Sequence, residues 1–172
     1  MPRKNSPEQF RIEALGPDHV RAQFSCGVPE LDRYLEHQAG QDLKRKLAAI
    51  FVLTEDGRRI SGFYTLSAHS ILAAELPPEA QKGLPRYPIP VTLLGRMAID
   101  QSLRGQGLGE LLLLHALERS LLASREVASW AVVLDSKAGA REFYIQYGFI
   151  PLPNRSERLF LPMKTIERLF PG

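Results

Sequence analysis

Three glycines fall within five residues in Arg104-Gly105-Gln106-Gly107-Leu108-Gly109, between an apolar run ending at Ile99 and a leucine-rich segment that begins at Leu108. That order reads as a strand, a tight turn, then a helix. Glycine loses more backbone freedom on folding than any other residue, so three of them exceed what a plain strand-to-helix connector requires. A helix that opens from such a turn leaves its first N–H groups without internal acceptors, and its dipole adds partial positive charge there. The turn therefore reads as an anion site suited to phosphate or pyrophosphate, the alternative being a connector alone. Two better-known phosphate motifs are excluded. No Gly-x-x-x-x-Gly-Lys string precedes a Ser or Thr, and after Gly105 and Gly107 the third glycine of a dinucleotide fingerprint would have to stand at Glu110.

The rest of the chain supplies one domain around this turn. Its 172 residues suffice for a single core, and apolar and charged fractions of 44% and 24% are ordinary for a globular protein. The net charge of +3, with a pI of about 9.2, permits an acidic partner without requiring one. Met1 to Gln9 is polar and is expected to be mobile. Phe10–Ala14 reads as a strand, Val28–Leu47 as two short helices, and Ala48–Thr54 with Ile60–Ile71 as a hairpin turning at Glu55-Asp56-Gly57. Pro77, Pro78, Pro85, Pro88 and Pro90 predict a helix-free loop. Val91–Ile99, Trp130–Leu134, Phe149–Leu152 and Leu159–Met163 read as strands, and Leu108–Ala123 and Ala138–Tyr147 as helices, the latter stopped by Gly148. That order predicts a mixed α/β or α+β domain around one sheet.

Several chemistries find no support. Cys26 is the single cysteine, which excludes an internal disulfide framework or a cysteine zinc site and reads as a small buried hydrophobe. His19, His37, His69 and His115 lack ligand spacing, so no metal site is expected, and His115 reads as a packed residue on the long helix. No Gly-x-Ser-x-Gly elbow occurs. No signal peptide or bilayer-length apolar run is apparent, so the expectation is a cytoplasmic protein without membrane contact.

The glycine turn resembles the acyl-CoA pyrophosphate loop of the GNAT acetyltransferases, Gln/Arg-x-x-Gly-x-Gly/Ala. About forty residues on, Phe143-Tyr144-Ile145-Gln146-Tyr147-Gly148-Phe149 resembles that family's Phe-Tyr-x-x-x-Gly-Phe helix end. Phe24-Ser25-Cys26-Gly27, Leu31-Asp32-Arg33-Tyr34-Leu35, Gly62-Phe63-Tyr64-Thr65-Leu66-Ser67, Tyr87-Pro88-Ile89-Pro90, Leu94-Gly95-Arg96-Met97-Ala98 and Phe160-Leu161-Pro162-Met163-Lys164-Thr165 are similar to one branch, the GNAT toxins of type II toxin–antitoxin systems. Met97 and Ile99 replace other apolar residues of the pattern, and Ser136 stands where a small apolar residue is more usual. The resemblance implies a GNAT acyltransferase fold over residues 1–172, with helices flanking a mostly antiparallel sheet that contains a splayed strand pair. It also implies acetyl-CoA as cosubstrate.

In that reading the N–H groups of Gln106, Gly107, Leu108 and Gly109 receive the pyrophosphate at the Gly105 turn, and Arg104 adds a charge-assisted contact. Met97, Ala98 and Ile99, at the end of a strand, offer backbone groups to the pantetheine arm and the thioester carbonyl. Tyr144 taken alone could be a core aromatic beside Phe143; the resemblance gives it the role of general acid, because a phenol with a pKa near 10 keeps its proton at neutral pH. Tyr147 reads as packing. No carboxylate or histidine stands out as a base. An α-amino group with a pKa near 8 needs little help, whereas a lysine near 10.4 would need much more.

That gap leans toward the amine of aminoacyl-tRNA, the substrate the resemblance implies, with translation blocked as the result. Lys44, Arg45, Lys46, Arg86 and Arg96 are the candidate tRNA-binding cations, with Arg58 and Arg59 as further ones. For Lys44–Lys46 a solvated helix end remains the equal alternative. A ribbon–helix–helix antitoxin and a homodimer are further implications of the resemblance. The competing readings are a GNAT enzyme for a small amine or a protein N-terminus, and a non-catalytic module that binds CoA or a partner.

Overall fold

The computed structural model describes residues 7–137 and 139–172. Pro7–Gln9 form a single 3-10 turn, and residues 1–6, the rest of the stretch expected to be mobile, lie outside the described residues. The strands are β1 (Arg11–Ala14), β2 (Ala49–Thr54), β3 (Gly62–Ile71), β4 (Ile89–Ile99), β5 (Ala131–Asp135), β6 (Ile150–Leu152) and β7 (Arg155–Pro162). They form a seven-stranded, mostly antiparallel sheet in the order β1-β2-β3-β4-β5-β7-β6. The helices are α1 (Pro29–Arg33), α2 (Ala39–Lys44), α3 (Pro78–Gln81), α4 (Leu108–Ser124), α5 (Arg141–Ile145) and α6 (Met163–Leu169). The chain divides into two compact units. The first runs to Leu66 and adds Arg96–Ala116; the second holds Ser67–Gly95 and Leu117–Gly172.

In the first unit β1, β2 and β3 pair antiparallel, with Ala14 opposite Phe51 and Phe51 opposite Tyr64. The hairpin between β2 and β3 turns where the sequence predicts. Asp56 Oδ1 accepts the N–H of Arg58 and of Arg59, each at 2.8 Å, closing the turn around Gly57. Between Val28 and Leu47 the chain makes one helical run rather than two separate helices. A π turn over Tyr34–Gln38, in which Ala39 N–H reaches the Tyr34 carbonyl, joins α1 to α2. Leu31, Tyr34, Leu35 and Ala39 pack from this run onto Ile50, Val52 and Phe63. Phe24 meets Phe63 edge-on at 5.5 Å between centroids, and Tyr34 stacks on it at 6.4 Å. Cys26 is buried in the same cluster, as its small apolar character predicts, and burial pushes its thiol up to about 11.

In the second unit β4 runs parallel to β5, pairing Thr92 with Val132 and Leu94 with Leu134, and β4 continues beyond this ladder to Ile99. β7 returns antiparallel between β5 and β6. Ile71, Ile89, Val91, Val133 and Phe160 form the core on one side, and Trp130 stacks on Phe160 at 5.9 Å. Three expectations need correction here. The proline-rich loop does contain a helix, α3, because Pro78 occupies the first helical position, where a missing N–H removes no bond. The last strand stops at Pro162 and Met163 begins α6, whose buried Met163 and Ile166 lie one turn apart. Finally, α5 is shorter than Ala138–Tyr147, and Ala138 lies outside the described residues. Its end has the expected glycine stop: Gly148 N–H bonds to the Ile145 carbonyl and Phe149 N–H to that of Tyr144, with φ +98° at Gly148.

Gly62 marks a close approach of backbone to backbone. A Cβ there would lie 2.7 Å from Ile99 Cδ1 and 3.0 Å from the Ala98 carbonyl oxygen. Gly62→Val should therefore destabilise the fold by about 1–3 kcal/mol in urea unfolding, as overpacking does.

Candidate active site

The glycine turn is aimed by residues that precede it. Asp100, directly after β4, is buried, and its carboxylate accepts the Ser102 N–H at 3.0 Å, the Ser102 hydroxyl at 2.7 Å and the Ser25 N–H at 3.1 Å. Its own N–H donates to the Ser61 carbonyl at 2.8 Å. Burial alone would raise this carboxyl, but the hydrogen bonds from Ser102 and Ser25 and the charge of Arg59 outweigh it and hold the group below its ordinary range. A single 3-10 turn over Gln101–Leu103 comes next, with Gln101 N–H on the Ser25 carbonyl at 2.8 Å. Sequence reasoning gave Asp100 no role, and Ser25 none beyond its place in a family motif. The Asp-x-Ser spacing of Asp100 and Ser102, a side chain that can bond its own backbone two residues on, was the available signal.

Gly105 and Gly107 have φ of +80° and +78°, the left-handed region that an L side chain enters at a cost. A Cβ at either position would find no atom within 4 Å, so both face open space. Leu111 N–H bonds to the Gly107 carbonyl, which leaves the N–H groups of Leu108 and Gly109 ahead of the helical ladder of α4. The Gln106 side-chain oxygen is buried without a hydrogen-bond partner among the described residues. α4 is anchored behind the turn by Leu108, Leu112, Leu113 and Leu117, all essentially inaccessible. Arg104 donates from Nη2 to the Cys26 carbonyl, so part of its guanidinium fastens the turn to the loop before α1. Met97, Ala98 and Ile99 are half-buried at the end of β4, where Ala98 and Ile99 lie against Gly62.

Tyr144 stands on α5 in the second unit and is 8% exposed. Its ring meets Phe143 at 5.1 Å and Phe149 at 5.8 Å, both edge-on. Burial pushes its phenol up to about 12, so it is fully protonated at neutral pH. No hydrogen bond of its hydroxyl is found among the described residues. Tyr147 packs against Phe143 at 5.2 Å, as its reading as a packing residue predicts.

The candidate cations fall in different surroundings. Lys44, Arg45 and Lys46 are exposed at the end of α2, and Lys46 itself takes φ +60° to close that helix. Arg58 and Arg59 are exposed in the hairpin turn. Arg96 lies with its guanidinium carbon 3.6 Å from the centre of the Tyr34 ring, whose hydroxyl donates to Asp42 at 2.8 Å. Arg86, in the second unit, is exposed beside Tyr87, which is 70% exposed. Of the histidines, His115 shares a 2.7 Å hydrogen bond with buried Tyr64, and His19 Nε2 contacts Glu13 at 2.7 Å. Among the described residues no group of three His, Cys, Asp or Glu could hold a metal ion, and no helix is long and apolar enough to cross a membrane.

Comparison with known proteins adds independent findings. The acetyltransferase (GNAT) domain family matches residues 46–151. The chain is 35% identical over 169 residues to a probable toxin TacT of Sinorhizobium fredii, covering 92% of this chain and 93% of that one. It is 35% identical over 147 residues to a tRNA-acetylating toxin of Mycobacterium tuberculosis, covering 85% and 87%. Among solved structures, AtaT complexed with acetyl-methionyl-tRNAfMet is 34% identical, covers 94% of this chain and 99% of its own, and superposes with a TM-score of 0.87. A tyrosine-to-phenylalanine variant of AtaT, bound to the C-terminus of the antitoxin AtaR and to acetyl-CoA, is 30% identical with a TM-score of 0.81 over 95% and 99%.

The depressed carboxyl of Asp100 adds stability that is fully present above its unfolded pKa and is lost as pH falls through its folded one. Melting temperatures followed from neutral to acid pH should thus fall less steeply for Asp100→Asn, from a lower starting point, than for the wild type. Parallel curves would dissociate Asp100 from the acid response.

Proposed function

The chain belongs to the GNAT acetyltransferases and is an N-acetyltransferase that uses acetyl-CoA, and from that premise we propose that it is the toxin of a toxin–antitoxin pair. In this reading it acetylates the α-amino group of aminoacyl-tRNA in the cytoplasm and blocks translation. The observation that carries it is likeness over nearly the whole chain to a toxin solved with acetyl-methionyl-tRNA. The residues present fit acetyl-CoA: two left-handed glycines open onto free space ahead of α4, whose first N–H groups precede its helical ladder. We further propose that residues 1–172 act as one acetyltransferase domain.

Acetyl-CoA supplies the acetyl thioester. The N–H groups of Gln106 to Gly109, past the turn at Gly105, hold its pyrophosphate, and the remaining donors of Arg104 add charge. Backbone groups of Met97, Ala98 and Ile99 orient the pantetheine arm and present a donor to the thioester oxygen, a contribution of about 3–4 kcal/mol where such a donor meets developing negative charge. Tyr144 carries its proton at Oη toward the departing sulfur. The attacking amine loses one proton and the thiol gains one, so the chemistry balances without a strong base. Lys44, Arg45, Lys46 and Arg86 bind tRNA phosphates, and Arg96, one face stacked on Tyr34, contributes from its edge. An antitoxin neutralises the protein, a reading supported by the antitoxin-bound relative; by family resemblance alone that antitoxin is of the ribbon–helix–helix type and the active form is a homodimer.

Labelled acetyl should pass from acetyl-CoA to charged tRNA and not to uncharged tRNA. Label absent from charged tRNA but present on free amines would replace the toxin reading with that of a small-amine enzyme. Tyr144→Phe should lower kcat about 100-fold with acetyl-CoA affinity retained, whereas Gly107→Val should raise the KM for acetyl-CoA about tenfold or more with a smaller change in kcat. Because the phenol stays protonated to about 12, initial rates should climb as the amine, whose pKa its ester carbonyl holds below about 8, deprotonates, and then hold level to about pH 10. An alkaline fall below about pH 9 would assign the acid to another group.

A further inference from the structure

One cluster in the second unit takes no direct part in acetyl transfer. Asp135 is the last residue of β5, and Arg158 faces it across the β5–β7 ladder. The guanidinium grips the carboxylate with both edges: Nε donates to Oδ1 and Nη2 to Oδ2, each at 2.8 Å. Arg158 is buried, and its Nη1 meets His69 Nε2 at 3.2 Å. Arg155 adds a looser contact, 3.9 Å from Asp135 Oδ1. The next residue doubles the fastening. Ser136 donates to the Glu157 carbonyl oxygen from its N–H at 2.7 Å and from its hydroxyl at 2.8 Å. Hydrogen bonding to Arg158, partly opposed by burial, holds the Asp135 carboxyl below its ordinary range, so the pair stays ionised at neutral pH.

The ladder between β5 and β7 already pairs Ala131–Asp135 with Arg158–Pro162. The Ser136 N–H bond carries that register one step further, to Glu157, and the bidentate contact and the Ser136 hydroxyl add side-chain fastening where the strand ends. Beyond Ser136 a short connection leads into α5, five residues long, which carries Tyr144. A helix of that length has no stability of its own, and its placement comes from its anchors. Upstream of its entry, the chain is held at Asp135 and Ser136 on Arg158 and Glu157. At its exit, a Cβ on Gly148 would lie 3.5 Å from Leu161 Cδ1, so the chain returns against the same strand, β7.

We propose that the Asp135–Arg158 pair, reinforced by Ser136, is a positioning clamp that sets where the Tyr144 hydroxyl stands during acyl transfer. The clamp rests on the reading of Tyr144 as proton donor. Displacing a catalytic group by about 1 Å lowers rates by about 100-fold, so a partial displacement is expected to be visible in turnover.

The test is a double-mutant cycle of Arg158→Met and Tyr144→Phe, with Arg158→Lys as a second variant should Arg158→Met fail to fold. Amide hydrogen exchange over residues 141–147 is read alongside. Arg158→Met should lower kcat about 30-fold, leave the KM for acetyl-CoA within about twofold and raise exchange across α5. In the Tyr144→Phe background the same change should lower kcat less than about twofold, because the group it positions is already gone. Exchanging the charges, Asp135→Arg with Arg158→Asp, should recover part of the lost kcat. Equal fractional losses in both backgrounds, or an unchanged kcat for Arg158→Met, would overturn the clamp. Should Tyr144→Phe alone turn over at the wild-type rate, the proton-donor reading falls and the catalytic role of the clamp falls with it; raised exchange over 141–147 would still separate that failure from an intact α5.

Discussion

Asp100 stands at the joint between β4 and the glycine turn, and its carboxylate accepts three hydrogen bonds, from the Ser25 N–H and from the N–H and hydroxyl of Ser102. A buried carboxylate is expensive unless it is well bonded. Here those bonds reach two separate segments, and the Asp100 N–H reaches a third at Ser61. The result is a rigid corner. From it the chain enters Gly105 and Gly107 with their left-handed φ, and then α4. The anion-binding capacity of a helix start depends on the direction of its N–H groups, and in this protein that direction is set at the corner. Arg104 adds to it by fastening to the Cys26 carbonyl.

The second unit works by burial rather than by exposed backbone. Phe143 and Phe149 enclose the Tyr144 ring, and the same enclosure raises its phenol to about 12. A thiol has a pKa near 8.5, so complete transfer from such a phenol is uphill. In the proposed mechanism Tyr144 then acts as a hydrogen-bond donor that stiffens as charge grows on sulfur, with the proton lost by the amine completing the exchange. A donor of this kind depends on placement more than on acidity, which gives the doubled fastening of Asp135 and Ser136 to β7 its significance.

Much of this was legible in the sequence. The glycine turn, the long leucine helix, the hairpin at Glu55-Asp56-Gly57 and the stop at Gly148 each arise from local chemistry: left-handed backbone, apolar periodicity and turn side chains. Short elements were less legible. Tyr34–Gln38 carries no signal that separates a π turn from a helix break, because both interrupt the same apolar spacing. Pro78 reads as a helix breaker until its place at a first turn is known. α6 was missed because Met163 and Ile166 extend an apolar run that a strand would use equally well.

By itself, then, the sequence determined the family, through motifs spread along the chain, and the glycine turn and the stop at Gly148, whose left-handed backbone glycine meets at least cost. The tertiary structure decided what those residues rest on. Asp100 finds Ser25 seventy-five positions away, Arg158 finds Asp135 across a ladder, and Arg96 lies on Tyr34 instead of pointing into water. Such contacts join side chains distant in sequence, and a carboxylate or guanidinium carries no local sign of which partner burial will assign to it.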